Sequence, residues 1–202
     1  MHMLTRYGLT VIEVRDSFPN QKIISFNNQT LKDKQDIILS KTIKNLSPIL
    51  QKLSPDLIVV HGDRVEALGT AISGSFNNYL IAHIEGGEVS GTIDEHIRHS
   101  VSKLSHIHFV SNSNAKRRLI QLGEPNKKIF ITGSPDIDSM KSTKLPSIEI
   151  VKKRYNIKFK KYSILLFHTV TSKKNHELKQ NIKCLINFVQ SSKENLIVQN
   201  KR

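Results

Sequence analysis

The sequence has one cysteine, few acidic residues for its basic ones and no long apolar run. Its single cysteine, Cys184, rules out an intramolecular disulfide framework and any zinc or iron–sulfur site built from several thiolates. A reducing cytoplasm is the compartment expected for such a chain. The apolar stretches at 57–60 and 164–167 fall far short of the roughly 18 residues a membrane span needs, so no membrane partner is expected. Residues 1–10 lack the apolar core of a secretory signal. No Gly-x-Gly-x-x-Gly motif argues for a dinucleotide, and residues 69–75 lack the lysine that a phosphate loop places after its second glycine. The nine histidines offer no spacing that makes a convincing ligand set, so no metal site is expected.

What remains is a chain of 202 residues, 38% hydrophobic and 24% charged, the composition of a globular protein of one domain or a little more. Lysine and arginine total 31 against 17 acids, giving a formal charge of +14. The excess is confined to one half: residues 1–100 hold 10 basic and 11 acidic side chains, residues 101–202 hold 21 and 6. Such asymmetry can mark a nucleic-acid partner. Here lysine outnumbers arginine by 23 to 8, with few aromatics between, whereas recognition of phosphates and base edges favours the arginine fork. A lysine-rich surface is the simpler account, and no nucleic-acid partner is expected.

Strand and helix alternate. Residues 30–53 carry apolar positions at close to helical spacing. Residues 56–60 form a continuous apolar run of the kind found in strands buried on both faces of a parallel sheet. A small-residue helix at 64–77, a strand at 79–84, a helix from a capping box at 92–95 to about 104, a strand at 106–111, a helix at 114–122 and a strand at 128–132 complete a doubly wound α/β pattern. Residues 1–140 are expected to form this Rossmann-like domain and 141–161 an interdomain connection. Residues 162–202 read as the opening β-α-β of a second Rossmann-like domain. A unit that small does not bury a core alone, so the sequence looks cut at both ends.

In open α/β sheets ligands bind in the crevice at the carboxyl ends of the strands. Two consecutive predicted strands end there in acid–histidine pairs, His61-Gly62-Asp63 and His83-Ile84-Glu85-Gly86-Gly87-Glu88. Asp94 lies in the first turn of the next helix with Arg98 one turn on. Carboxylates in such a crevice serve as general bases when neighbours tune them. Gly86 and Gly87 would let the backbone approach a ligand. The plainer alternative is that Asp94 only complements the helix dipole and pairs with Arg98 on the surface. Cys184, in an apolar helix, reads as packing.

The run His61-Gly62-Asp63-Arg64, then His83 through Asp94 with Glu88-Val89-Ser90-Gly91-Thr92 at its centre, then Ile97-Arg98-His99, closely resembles the UDP-N-acetylglucosamine 2-epimerase family, most of all its hydrolysing branch, which makes N-acetylmannosamine for sialic acid synthesis. The similarity extends to Gly133-Ser134-Pro135. It implies a GT-B-type architecture with the sugar nucleotide between two Rossmann-like domains. It implies Asp63, Glu85 and Asp94 as the acid/base group, with His168 facing the diphosphate from the second domain as a further catalytic residue. Arg64 falls on a diphosphate contact, His2 on an active-site histidine and Asn200 on a nucleotide-binding asparagine. His83, Gly86, Gly87, Glu88, Ser90 and Arg98 fall within the substrate-binding motif. Thr169 departs from the family's usual proline, and Gln199 and Lys201 from the usual neighbours of that asparagine.

The implied chemistry is removal of the C2 proton as UDP departs from C1, then hydration of the resulting 2-acetamidoglucal. It calls for no metal or redox cofactor. The partner implied is a UDP-sugar, with homo-oligomers in the full-length family. The family's first strand would lie before Met1 and most of its second domain beyond Arg202. The chain is therefore expected to be a truncated or split member, with a complementing chain as one route to activity. Two other readings stay open: a hydrolysing epimerase of a UDP-diacetamido sugar, and a non-enzymatic remnant or interaction module using the basic carboxy-terminal half.

Overall fold

The computed structural model describes residues 2–142, 145–167 and 175–199. Its contacts divide the chain into two units, residues 1–135 and 136–202. In the first unit a short 3-10 turn and helix α1 (Val11–Ser17) precede α2 (Gln35–Leu53). Then β1 (Leu57–His61), α3 (Val65–Phe76), β2 (Leu80–Ile84), α4 (Ile93–Lys103), β3 (Ile107–Val110), α5 (Ser113–Gln121) and β4 (Ile129–Ile131) alternate as the sequence predicts. The four strands form one parallel sheet in the order β1-β2-β3-β4. Leu57 pairs with Leu80, Ala82 with Ile107 and His108 with Ile129.

The core lies on one face of that sheet. Ile58 and Val60 of β1 and Ile81 of β2 meet Leu50 of α2, Ala67 and Ala71 of α3, and Ile97 and Val101 of α4. A second cluster joins Val110 and Ile129 to Ala115 and Leu119 of α5. The small residues of α3 set its distance from its neighbours. A Cβ at Gly69 would stand 2.8 Å from a methyl of Thr42, and one at Gly74 would stand 2.8 Å from Ile58. Residues 69–75 are thus packing residues inside a helix.

The opposite face corrects the expectation of strands buried on both sides. Burial along β1 alternates strictly, and on that face Leu57, Val59, Leu80 and Phe130 are 43%, 56%, 52% and 47% exposed. The reason is the placement of the helices: α2, α3 and α4 stack on the side that carries Ile58, Val60 and Ile81. The capping box also forms differently. Thr92 makes no side-chain cap to α4, and Glu95 accepts from the amides of Ser90 and Gly91 at 2.8 and 2.7 Å.

The second unit contains α7 (Ile148–Arg154), β5 (Ser163–Leu166), α8 (Asn175–Ser191) and β6 (Leu196–Gln199), with β5 and β6 paired in parallel. A further short helix, α6 (Pro135–Met140), begins at the boundary, in the last residues of the stretch expected to form the first domain.

Candidate active site

The strand ends bring together most of the acids that the sequence singles out. Asp63 follows β1, Glu85 and Glu88 follow β2, and Ser111 follows β3. With Gly62 and Arg98 of α4 they line a cavity of about 310 Å³. Asp63 accepts a hydrogen bond from Nη2 of Arg98, whose Nη1 donates to the Glu88 carbonyl at 2.8 Å. One guanidinium therefore ties the β1 loop to the β2 loop. The pairing of Arg98 with Asp94, the plainer alternative for that acid, is not made: Arg98 is taken by Asp63 and the Glu88 carbonyl. Asp94 is exposed in the first turn of α4, 3.4 Å from the Thr92 hydroxyl, and it does not line the cavity.

Glu85 is the most closely held carboxylate. Its Oε2 lies 2.8 Å from Nε2 of His61, and its Oε1 accepts from the Ser134 hydroxyl. Partial burial pushes its pKa up, but the hydrogen bonds from Ser134 and His61 and the charges of His61 and Arg98 outweigh this and hold it below the ordinary value. The group is a carboxylate at neutral pH, as a general base must be. Its backbone sits at φ +64, a left-handed conformation that costs a residue other than glycine on the order of 1–3 kcal/mol and tends to occur at functional sites. Glu88 accepts from Nδ2 of Asn112 at 2.7 Å and lies 3.9 Å from Arg118.

Other expected residues take different places. His83 does not line the cavity: its ring is fully buried, with Nε2 2.9 Å from the Gly62 carbonyl and Nδ1 3.0 Å from the Ser102 hydroxyl. A carbonyl only accepts, so Nε2 carries the proton and Nδ1 accepts from Ser102. Burial lowers the pKa of His83 to about 4. Gly86 and Gly87 are buried too, and their smallness serves packing. A Cβ on Gly86 would lie 2.8 Å from the Ser102 oxygen and 2.9 Å from Nδ1 of His83. One on Gly87 would collide with the Ala115 carbonyl of α5. Ser90 is exposed beside Thr92.

His2 and Arg64 face a second cavity, of about 490 Å³, across the 61–64 turn, where His61 and Glu66 join an apolar wall that includes Ile23, Phe26 and Val59. His2 bonds Thr10 at 2.6 Å, and Arg64 bonds Glu66 through two nitrogens at 3.2 and 3.3 Å. His168 and Asn200 lie outside the described residues. Among the described residues no group of three or more histidine, cysteine or acidic side chains is placed to hold a metal ion.

Sequence reasoning gave no role to three contributors: His61 and Ser134, which it quoted only as parts of motifs, and Asn112, which it did not single out. Ser134 and Asn112 also sit just past strand ends, β4 and β3, so the rule that located Asp63 and Glu85 applied to them as well.

The profile of the family described as UDP-N-acetylglucosamine 2-epimerase matches residues 1–201. A UDP-N-acetylglucosamine 2-epimerase of Neisseria meningitidis is 47% identical over 173 residues, covering 85% of this chain and 45% of its own length. A UDP-N,N'-diacetylbacillosamine 2-epimerase (hydrolyzing) of Legionella pneumophila is 36% identical over 176 residues, covering 84% of this chain and 46% of its own. The chain thus spans about half the length of the curated relatives it matches. Among solved structures, the Neisseria meningitidis epimerase bound to UDP-GlcNAc superposes with a TM-score of 0.77 at 20% identity, covering 96% of this chain and 55% of that one. The Methanocaldococcus jannaschii enzyme in complex with UDP-GlcNAc and UDP gives 0.75 at 22%, covering 93% and 53%. These two share the fold. With a family profile matched along almost its whole length, and the motif residues gathered at the strand ends, this chain belongs to the UDP-N-acetylglucosamine 2-epimerase family.

Proposed function

We propose that the crevice carries the acid/base half of a hydrolysing 2-epimerisation, converting UDP-N-acetylglucosamine to N-acetylmannosamine and UDP. The observation that carries this reading is the convergence of Asp63, Glu85 and Arg98 on one cavity at the carboxyl ends of parallel strands. Its volume of about 310 Å³ suits a sugar ring rather than a whole sugar nucleotide.

The C2–H of the sugar is not acidic, so its removal has to accompany cleavage of the C1–O bond to UDP. Glu85, ionised and held by His61 and Ser134, takes the C2 proton. The electron pair forms the C1–C2 double bond, and the diphosphate leaves with the C1–O pair. Water then adds its hydroxyl to C1 of the 2-acetamidoglucal and gives its remaining proton to Asp63, the second carboxylate, which is fixed by Arg98 and passes that proton to C2 from the opposite face. Glu85 releases the proton it took to solvent. Arg64, His2, His168 and Asn200 are proposed for the nucleotide and diphosphate, and Asp94 for the acid/base group through a rearrangement of the first turn of α4. The relatives named as UDP-N,N'-diacetylbacillosamine 2-epimerases, at 36% and 34% identity, favour a UDP-diacetamido sugar as the second reading.

Proton NMR of the purified chain with UDP-N-acetylglucosamine in deuterated water tests the proposal. UDP and N-acetylmannosamine carrying deuterium at C2 are the expected products. Unchanged substrate with soluble, folded protein overturns activity of this chain by itself, and faster turnover of the diacetamido substrate selects the second reading.

A further inference from the structure

The Asp63 carboxylate is held from two directions, and only one of them lies inside the crevice. Arg98 grips the side chain. The backbone behind it is fixed at Gly62, a turn residue at φ +75 whose amide donates to the Ile84 carbonyl at 3.1 Å. Its own carbonyl accepts from Nε2 of the buried His83 at 2.9 Å. That carbonyl belongs to the peptide plane that ends at the Asp63 nitrogen, so rotating it re-aims the Asp63 side chain. The far side of the imidazole is fixed in turn by the Ser102 hydroxyl of α4 at 3.0 Å. Gly86 lies close against both groups, where a Cβ would stand within 3.0 Å of each.

We propose that His83, locked by Ser102, is a positioning residue that sets the Gly62–Asp63 peptide and so holds Asp63 against Arg98 in the crevice. This rests on the acid/base reading of that crevice. A ring that only filled space would need neither polar partner, since an apolar side chain of similar shape would serve the core as well.

The test compares His83→Leu, His83→Gln, Ser102→Ala and, as a control that removes another buried hydroxyl, just past the end of α4 and bonded to the Val101 carbonyl, Ser105→Ala. Each is examined in the full chain by UDP-N-acetylglucosamine kinetics, by exchange protection of the Arg98 guanidinium protons in NMR, and by urea unfolding to match the folded fraction. His83→Leu is expected to lower kcat about 100-fold with KM nearly unchanged, the size of effect that a misplacement of about 1 Å produces. It is also expected to lose the Arg98 protection. His83→Gln, whose amide still donates toward Gly62, is expected to recover most of both. Ser102→Ala should fall between, and Ser105→Ala should match the unmodified chain. Equal kcat and equal Arg98 protection in His83→Leu and Ser105→Ala would overturn the proposal. Should His83→Leu not fold, the same comparison between Ser102→Ala and Ser105→Ala decides it. If the unmodified chain turns over no substrate, its activity by itself is overturned, and Arg98 protection alone still decides whether His83 positions Asp63.

Discussion

At the scale of single residues the crevice is a set of carboxylates whose freedom has been removed. Ser134 reaches Glu85 from the turn after β4, and its hydrogen bond helps keep Glu85 ionised. Replacing Ser134 with alanine should raise the Glu85 pKa, so the acid limb of the pH–rate profile moves to higher pH, which initial rates across pH will show. Glu85→Gln should cut turnover by about 1,000-fold or more while leaving unfolding by urea nearly unchanged. His83 gives a pH signature of a different kind. Its folded pKa, about 4, lies below the unfolded value of 6.5, held down first by burial and then by the charges of His108, Arg98 and His61 against the bond to Gly62. Between those values the unfolded chain binds the proton and the folded chain does not. Stability is therefore full above pH 6.5 and falls as the pH drops toward 4, by about 3 kcal/mol at about 1.4 kcal/mol per pH unit. Urea unfolding between pH 7 and pH 4 measures it, and the dependence should flatten in His83→Leu.

At the scale of elements, the Gly86-Gly87 turn decides how closely β2 is followed by α4 and α5. Gly87→Ala forces a Cβ into the Ala115 carbonyl at a residue with φ +79, so it should cost about 3 kcal/mol or more. Gly91→Ala, at φ +67 with open space around the site, should cost about 1 kcal/mol. Denaturation midpoints of the two variants separate the steric contribution from the conformational one. The succession of β1 to β4 was legible because each strand is a short apolar run set between stretches of helical spacing. The role of the glycines was not, because Gly86 and Gly87 read alike whether a ligand or a helix lies against them. Arg98 shows the same limit: helical spacing put it over Asp94, and the actual partner, Asp63, is 35 residues away in the chain. His83 was placed in the right motif, but periodicity assigns it to a buried strand without saying that its two nitrogens would both be used there.

At the scale of the whole chain, the expected alternation of a doubly wound fold is present, and what the sequence misjudged is the covering of the sheet. Strand β1 pairs only with β2 among the described residues, and Leu57, Val59 and Leu80 leave an apolar strip beside that edge, with Phe130 exposed on the same face at the β4 edge. Parallel sheets are ordinarily covered on both faces, so this strip favours association with other copies or other chains. Sedimentation velocity should show mass increasing with concentration, and Val59→Lys with Leu80→Lys should shift the distribution toward the monomer without loss of the folded core. The order of the strands has a consequence for synthesis. Each strand of the first unit lies beside the one made just before it, and each pairing closes within roughly two dozen residues, short loops by the standard of parallel sheets. A chain leaving the ribosome can therefore dock one strand and helix at a time on the layer already formed. The acids of the crevice then come together in the order in which they are translated, Asp63 waiting for Glu85 and Arg98, and Glu85 waiting last for Ser134.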